Sequence, residues 1–301
     1  EGILNTSRMH PVFPKRNNSE LSLQSEIAVH AAKQALIAAN KQSSDIDLII
    51  VACSNFERPY PAIAIEVQAA LNTAGFAYDV NAACSSASFG IQLAYHTIKS
   101  GGAHCALVIS PEIYTGHVNF RDRRSHFIFG DGCSAVIIER ESKCQVKNPY
   151  KILGAKLKTQ FSNNIRNNNG FLSRCKLDDT DEEDKLFTQI GKAVREQVVP
   201  MAQNHILNHL SELSIAPSTI KKLWLHQANI HINNAIAQGI WGREPTKEEA
   251  PTILEQYGNL GAAGVIVTFH QNNQNLGAGD IGVLCSFGAG YAVGSIVLQK
   301  M

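Results

Sequence analysis

Residues 79–94, DVNAACSSASFGIQLA, decide how the rest of the chain is read. A strand-like segment runs into a cysteine flanked by Ala82, Ala83, Ser85 and Ser86, and a helical pattern follows at once. A thiol at a helix start meets the positive end of the backbone dipole and unpaired N–H groups. These favour thiolate and can donate to an oxyanion. The small neighbours let an extended ligand come close to Cys84. Buried cysteines are also common small hydrophobes, and composition alone fits either role for Cys84. For Cys53, Cys105, Cys133 and Cys285 the packing role is preferred.

Outward from this stretch the chain alternates. DLIIVACS (47–54), CALVISPE (105–112), AVIIER (135–140), KLWLHQ (222–227) and GVLCSFG (282–288) are short apolar runs. They read as strands buried on both faces. Segments 22–40, 85–101 and 185–210 carry helical spacing, and the second stops on Gly101-Gly102. Such alternation predicts α/β layers. The chain also repeats itself weakly. DIDLIIVACSN (45–55) parallels TIKKLWLHQAN (219–229), and FGDGCSAVIIE (129–139) parallels FGAGYAVGSIVL (287–298). Two matches in the same order predict two related halves, residues 1–150 and 151–301. The stretch 141–184, with SNNIRNNNG and LDDTDEED, reads as an irregular connecting insertion with a solvated acidic run and no calcium-loop spacing.

The 301 residues, 32.8 kDa and 44% hydrophobic, suffice for a large core. A formal net charge of +1 argues against a nucleic-acid or anionic-membrane binder driven by bulk charge. No apolar run approaches the ~18 residues of a membrane helix, and no basic-then-apolar leader is present. Seven cysteines, an odd number without a CxxC pair, fit a reduced, cytoplasmic chain rather than a disulfide framework or a zinc site.

A nucleophilic cysteine normally needs a histidine and often an amide or carboxylate from elsewhere in the chain. His226 ends the strand KLWL, at the carboxyl end where open α/β sheets bind ligands. Asn259, in QYGNLGAAG, sits in a small-residue turn before another helical stretch, where its amide could donate to a carbonyl oxygen. His205 and His209 stand four residues apart but lack the Glu of HExxH, so they are assigned to an exposed helix face. His231, Lys221 and Lys222 read as solvated surface. Arg121, Arg123 and Arg124 fit a phosphate-holding loop or a solvated one equally.

DVNAACSSASFG, WLHQAN, YGN and SFGAGYAVGS, in this order, resemble the β-ketoacyl-acyl-carrier-protein synthase III family of the thiolase superfamily. NFERPYPAIAIEVQ, NFRDRRSHFIFGDG and SNNIRNNNGF look more like its β-ketodecanoyl branch, which uses a medium-chain acyl-CoA primer. The resemblance implies a thiolase-like, duplicated αβαβα five-layer fold. It also implies acyl transfer from acyl-CoA to Cys84, then decarboxylative condensation with malonyl-acyl-carrier protein in fatty acid biosynthesis. His226 and Asn259 would bind the malonyl thioester oxygen and stabilise the enolate. The backbone N–H groups of Cys84 and Ala289 would form the oxyanion hole for the acyl-enzyme.

Arg123 falls at the family's CoA entrance, and Tyr60 where a partner-subunit aromatic limits the acyl pocket. His231 stands where an arginine of the carrier-docking patch is usual, with Lys221 and Lys222 as supporting cations. A homodimer is implied by the resemblance only, as is the absence of any cofactor or metal beyond the substrates. The sequence starts at the family's Gly-Ile turn, here Gly2-Ile3. The family's first strand and its helix with an adenine-stacking tryptophan therefore fall outside it: either the sequence is partial or the CoA mouth differs. Leu260-Gly261 replace a common Thr-Ser. Rival readings are another acyl acceptor, such as a second acyl chain or an aromatic amine, and a silent partner subunit. The latter is disfavoured by the retained Cys84 and His226.

Overall fold

A computed structural model describes residues 11–123, 125–175 and 183–301. The first sheet contains β1 (Leu48–Ala52), β2 (Phe76–Val80), β3 (Cys105–Glu112) and β4 (Gly132–Glu139), in the order β2-β1-β3-β4. The second contains β5 (Tyr150–Ser162), β8 (Ile220–Leu225), β9 (Ile281–Gly288) and β10 (Gly290–Lys300), in the order β5-β10-β9-β8. A small ribbon pairs β6 (Ile165–Arg166) with β7 (Thr188–Gln189). The helices are α1 (Leu23–Ala38), α2 (Ile63–Leu71), α3 (Ser86–Ser100), α4 (Gly191–Glu212), α5 (Ile230–Trp241), α6 (Leu254–Tyr257) and α7 (Ala263–Gln271).

Side-chain alternation along the strands builds the layers. On β1, Leu48, Ile50 and Ala52 face the middle of the molecule with Ala106 and Val108 of β3. There they meet Ala87, Ile91, Ala94 and Ile98 of α3, Val265 and Ile266 of α7, and Trp224, Leu284 and Ile296 of the second sheet. The intervening residues Ile49, Val51 and Cys53 face outward onto Ala28 and Ala32 of α1 and Ile63 and Val67 of α2. Val283, Cys285 and Phe287 of β9 likewise face Val198, Ala202 and Ile206 of α4 and Ile236 of α5. The result is helix, sheet, helix, sheet, helix, with α3 and α7 in the central layer. Strands covered on both faces must be apolar throughout, which is why these runs stand out in the sequence.

The two sheets share a pairing pattern. β1 is parallel to β3, and β3 is antiparallel to β4; β8 is parallel to β9, and β9 is antiparallel to β10. One region differs from expectation. Within the stretch read as an irregular insertion, β5 runs antiparallel along β10 for thirteen residues. Its lysines, Lys151, Lys156 and Lys158, lie on a half-exposed edge strand and mask the apolar alternation. Most of the acidic run, residues 176–182, lies outside the described residues, as do Gly2-Ile3.

Candidate active site

Cys84 sits between the end of β2 and the start of α3. Ala83 takes a left-handed conformation, φ +50°. The loop is locked locally: Ser85 N–H donates to Ala82 O at 3.1 Å, Ser86 N–H to Ala83 O at 3.0 Å, and Ala82 N–H to Ser86 Oγ at 2.9 Å. Ser85 Oγ then donates to Ala292 O at 2.7 Å, and Ser88 and Ser286 hydroxyls meet at 2.6 Å, tying the loop to the second sheet. Gly288, ending β9, approaches so closely that a Cβ there would stand 2.8 Å from Cys84 N and 3.0 Å from Cys84 Cβ. Ala289 follows in the tight turn before β10.

His226 extends β8 by one residue, its N–H donating to Cys285 O at 2.8 Å. The ring is 2% exposed and meets Phe287 edge-on, with centroids 5.2 Å apart. Among the described residues its Nδ1 has no hydrogen-bond partner. Burial pushes its pKa down to about 4, against a smaller opposing effect of the Gly261 backbone, so the ring is neutral near pH 7. Asn259 is pinned by its backbone, N–H to Ile128 O at 2.8 Å and O from Gly130 N–H at 3.1 Å. Its Oδ1 accepts from Gly261 N–H at 2.9 Å, which leaves the amide NH2 as the donor end.

Cys84, His226 and Asn259 line one cavity of about 130 Å3, with Phe129, Phe187, Val198, Ile232, Phe287 and Gly288 among its walls. A thiol facing a neutral imidazole and an amide, in an apolar chamber, suits acyl transfer and stabilisation of an enolate-like oxygen. The expected thiolate is not the resting form. Burial outweighs the helix end and pushes the Cys84 thiol up to about 12, with the nearby Tyr114 hydroxyl acting the other way.

Two residues of this site escaped the sequence reading. Tyr114, 2% exposed, places its hydroxyl 2.9 Å from Cys84 Sγ. Glu112, 1% exposed, ends β3 beneath it. The available signal was a carboxylate closing an otherwise apolar strand, at the end where ligands bind in α/β sheets.

The remaining candidates scatter. Arg121 and Arg123 are exposed, and Arg124 lies outside the described residues. His231 is exposed at the start of α5, two residues beyond Asn229, which lines the cavity. Lys221 and Lys222 are not at the mouth: they open β8, and at ~3.3 Å per residue Lys222 lies about 13 Å along the chain from His226. Lys222 is moreover buried, 6% exposed, so it does not present a free docking cation. Tyr60 is 82% exposed and does not line the cavity of its own chain. His205 and His209 are buried rather than on an exposed face. His205 Nε2 contacts Lys156 O at 3.1 Å, and His209 Nδ1 contacts Ser295 Oγ at 2.7 Å. Among the described residues no group of three or more His, Cys, Asp or Glu could hold a metal ion, and no helix is long and apolar enough to cross a membrane.

Comparison with known proteins shows the family and the fold. Residues 78–160 match the family described as 3-oxoacyl-[acyl-carrier-protein] synthase III, and residues 210–300 match that family's C-terminal region. The chain is 50% identical over 300 residues to a β-ketodecanoyl-[acyl-carrier-protein] synthase of Pseudomonas aeruginosa, covering 100% of this chain and 86% of that protein. It is 29% identical over 280 residues to a β-ketoacyl-[acyl-carrier-protein] synthase III of Enterococcus faecalis, covering 91% and 83%. The crystal structure of 3-oxoacyl-[acyl-carrier-protein] synthase III from Aquifex aeolicus superposes with a TM-score of 0.81 at 27% identity, over 94% of this chain and 87% of that one. With half its residues shared along its whole length, two family regions in order and the same layered fold, the chain belongs to the β-ketoacyl-acyl-carrier-protein synthase III family.

Proposed function

We propose that the chain takes a medium-chain acyl group from acyl-CoA onto Cys84 and condenses it with malonyl-acyl-carrier protein. The broader activity follows from the family: the chain is an acyl-transferring condensing enzyme of fatty acid synthesis, acting on acyl substrates and an acyl carrier protein. The observation that carries the finer reading is an apolar cavity lined by Cys84, His226 and Asn259 together.

Cys84 sulfur attacks the thioester carbonyl and CoA leaves. The malonyl thioester then loses CO2, and negative charge collects on its thioester oxygen, where the neutral His226 ring and the Asn259 amide donate. The resulting carbanion attacks the acyl-Cys84 carbonyl, whose oxygen is held by the Cys84 and Ala289 N–H groups. Collapse expels the Cys84 sulfur and releases a β-ketoacyl chain two carbons longer. The 50% identity to a β-ketodecanoyl synthase supports an eight-carbon primer. Residues 1–150 supply the nucleophile and residues 151–301 supply His226 and Asn259, as two halves of one duplicated unit.

For docking we assign Arg123 to the CoA entrance and His231 to the carrier-protein face. A homodimer is supported by the outer edge of β2, unpaired among the described residues, with Phe76 at 44% exposure, and by Leu93 of α3 at 38%. Tyr60 would then reach the partner's acyl pocket. The test is intact-protein mass spectrometry after mixing with acetyl-, hexanoyl-, octanoyl- and decanoyl-CoA. A single octanoyl adduct in the wild type, absent in Cys84→Ala, is expected; an acetyl preference would overturn the medium-chain assignment.

A further inference from the structure

From Cys84 an unbroken chain of hydroxyls leads inward. Cys84 Sγ lies 2.9 Å from Tyr114 Oη, Tyr114 Oη lies 2.8 Å from Ser54 Oγ, and Ser54 Oγ donates to Glu112 Oε1 at 2.8 Å. While Glu112 is ionised, hydrogen counting sets one sense for all three contacts. The Ser54 hydroxyl has one hydrogen, and the Glu112 carboxylate can only accept it. Ser54 Oγ must therefore accept from Tyr114, and Tyr114 Oη must accept from the Cys84 thiol. We propose that Tyr114, Ser54 and Glu112 form a proton relay that takes the thiol proton of Cys84 during acylation and returns it when the product leaves. This rests on the assignment of Cys84 as the acylated nucleophile.

The proton accounting closes. As the sulfur attacks the acyl-CoA carbonyl, its hydrogen passes to Tyr114 Oη, the Tyr114 hydrogen to Ser54 Oγ, and the Ser54 hydrogen to Glu112 Oε1. The CoA thiolate departs and takes a proton from water. The acyl-enzyme stage then carries a neutral Glu112. When condensation breaks the carbon–sulfur bond and expels Cys84 as thiolate, the three hydrogens move back, restoring thiol and carboxylate. His226, whose pKa burial holds at about 4, is a poor acceptor for this proton, so the inward route fills a need the site otherwise leaves open.

The surroundings of Glu112 suit the task. Oε1 also accepts from Ser54 N–H at 3.0 Å and Ala262 N–H at 2.9 Å, and Cys53 Sγ lies 3.5 Å from Oε2. None of these donors is a cation. Burial raises the Glu112 pKa to about 7 against those hydrogen bonds, so the carboxylate can hold or release a proton near neutrality. The titratable groups facing it are Cys53 from the end of β1, Cys84, Tyr114 and Cys133 of β4, and burial pushes each of them up, so all rest neutral. Gly261 is part of the same construction. A Cβ there would stand 2.1 Å from Tyr114 Cε2 and 2.9 Å from Glu112 Cδ. Gly261 therefore leaves Tyr114 the space that a side chain at 261 would need. Tyr114 touches the reacting sulfur; Ser54 and Glu112 act through it.

The test is the pH dependence of Cys84 alkylation by iodoacetamide, followed by peptide mass spectrometry, with octanoyl-CoA adduct formation measured in parallel. In the wild type alkylation should rise with pH through about 7, as Glu112 becomes an acceptor, and then level off. Tyr114→Phe, Ser54→Ala and Glu112→Gln should react about 10²-fold more slowly at pH 8 and keep rising with hydroxide, without the inflection. Glu112→Gln retains an oxygen for the two backbone N–H groups; should it fail to fold, Tyr114→Phe and Ser54→Ala decide. Folded variants that keep the wild-type rate and inflection overturn the relay, as does a wild type with no inflection. A wild type that shows the inflection yet forms no acyl adduct upholds the relay and overturns the acyl-transfer assignment.

Discussion

His226 and Asn259 are held so that each offers a donor rather than a charge. Burial keeps the imidazole neutral, and the Gly261 N–H occupies the Asn259 oxygen. Removing either should therefore act on condensation and not on loading. His226→Ala and Asn259→Ala should each still form the acyl adduct while losing about 10²–10³ in the rate of malonyl-dependent product formation. Comparing adduct mass with CO2 release separates the two steps. Because His226 titrates only near 4, decarboxylation on pre-acylated enzyme should show no histidine inflection between about pH 5 and 8. An inflection near 6.5 would mean that the ring is solvated during catalysis.

The decisive contact between elements is that of the β9 end with the start of α3. Gly288 lies against Cys84, and a methyl there would meet backbone, which cannot swing aside as a side-chain tip can. Gly288→Ala should lower stability by about 1–3 kcal/mol, the usual cost of overpacking. It should also slow acylation at least about tenfold by displacing Cys84. Gly170→Ala, with nothing within 4 Å, is the matched control and should leave both unchanged. Thermal melts with single-turnover acylation distinguish this from a general loss of folding. At this scale β1, β3 and β9 were legible because both of their faces are covered. β5 was not, because an edge strand has a solvent side and its lysines break the pattern.

At the scale of the whole molecule, among the described residues, His117, His205, His209 and His226 are held by burial at about 4. Unfolding returns each to about 6.5, so the unfolded chain binds more protons, and stability is lost as pH falls from about 6.5 towards 4. Glu112 runs the other way. Raised to about 7 by burial, it favours the protonated native state and loses stability as pH rises from about 4.5 to 7. Asp79, also raised by burial, acts in the same sense as Glu112 at lower pH. The four histidines together predict a melting temperature that falls by several degrees between about pH 7 and 5. Replacing His209, whose ring meets the Ser295 hydroxyl at 2.7 Å, by Gln should flatten that slope in a pH series of thermal melts. A melting temperature that rises on acidification would show that Glu112 dominates.

The layered α/β class, the buried strands β1, β3 and β9 and the helix after Cys84 were readable in the sequence. Period-2 and period-3.6 apolar patterns are local, and motifs such as DVNAACSSAS and WLHQAN carry their own turn chemistry. The tertiary structure alone decided the protonation of the site, because a pKa depends on how much water is excluded and by which distant segments. It turned the expected thiolate into a thiol, moved Lys221 and Lys222 away from the cavity, and buried His205 and His209. It also joined Ser54, Glu112 and Tyr114, from the ends of two neighbouring strands, to Cys84. Hydrogen bonds of 2.8–2.9 Å between residues 30 to 60 positions apart leave no periodic trace in the chain.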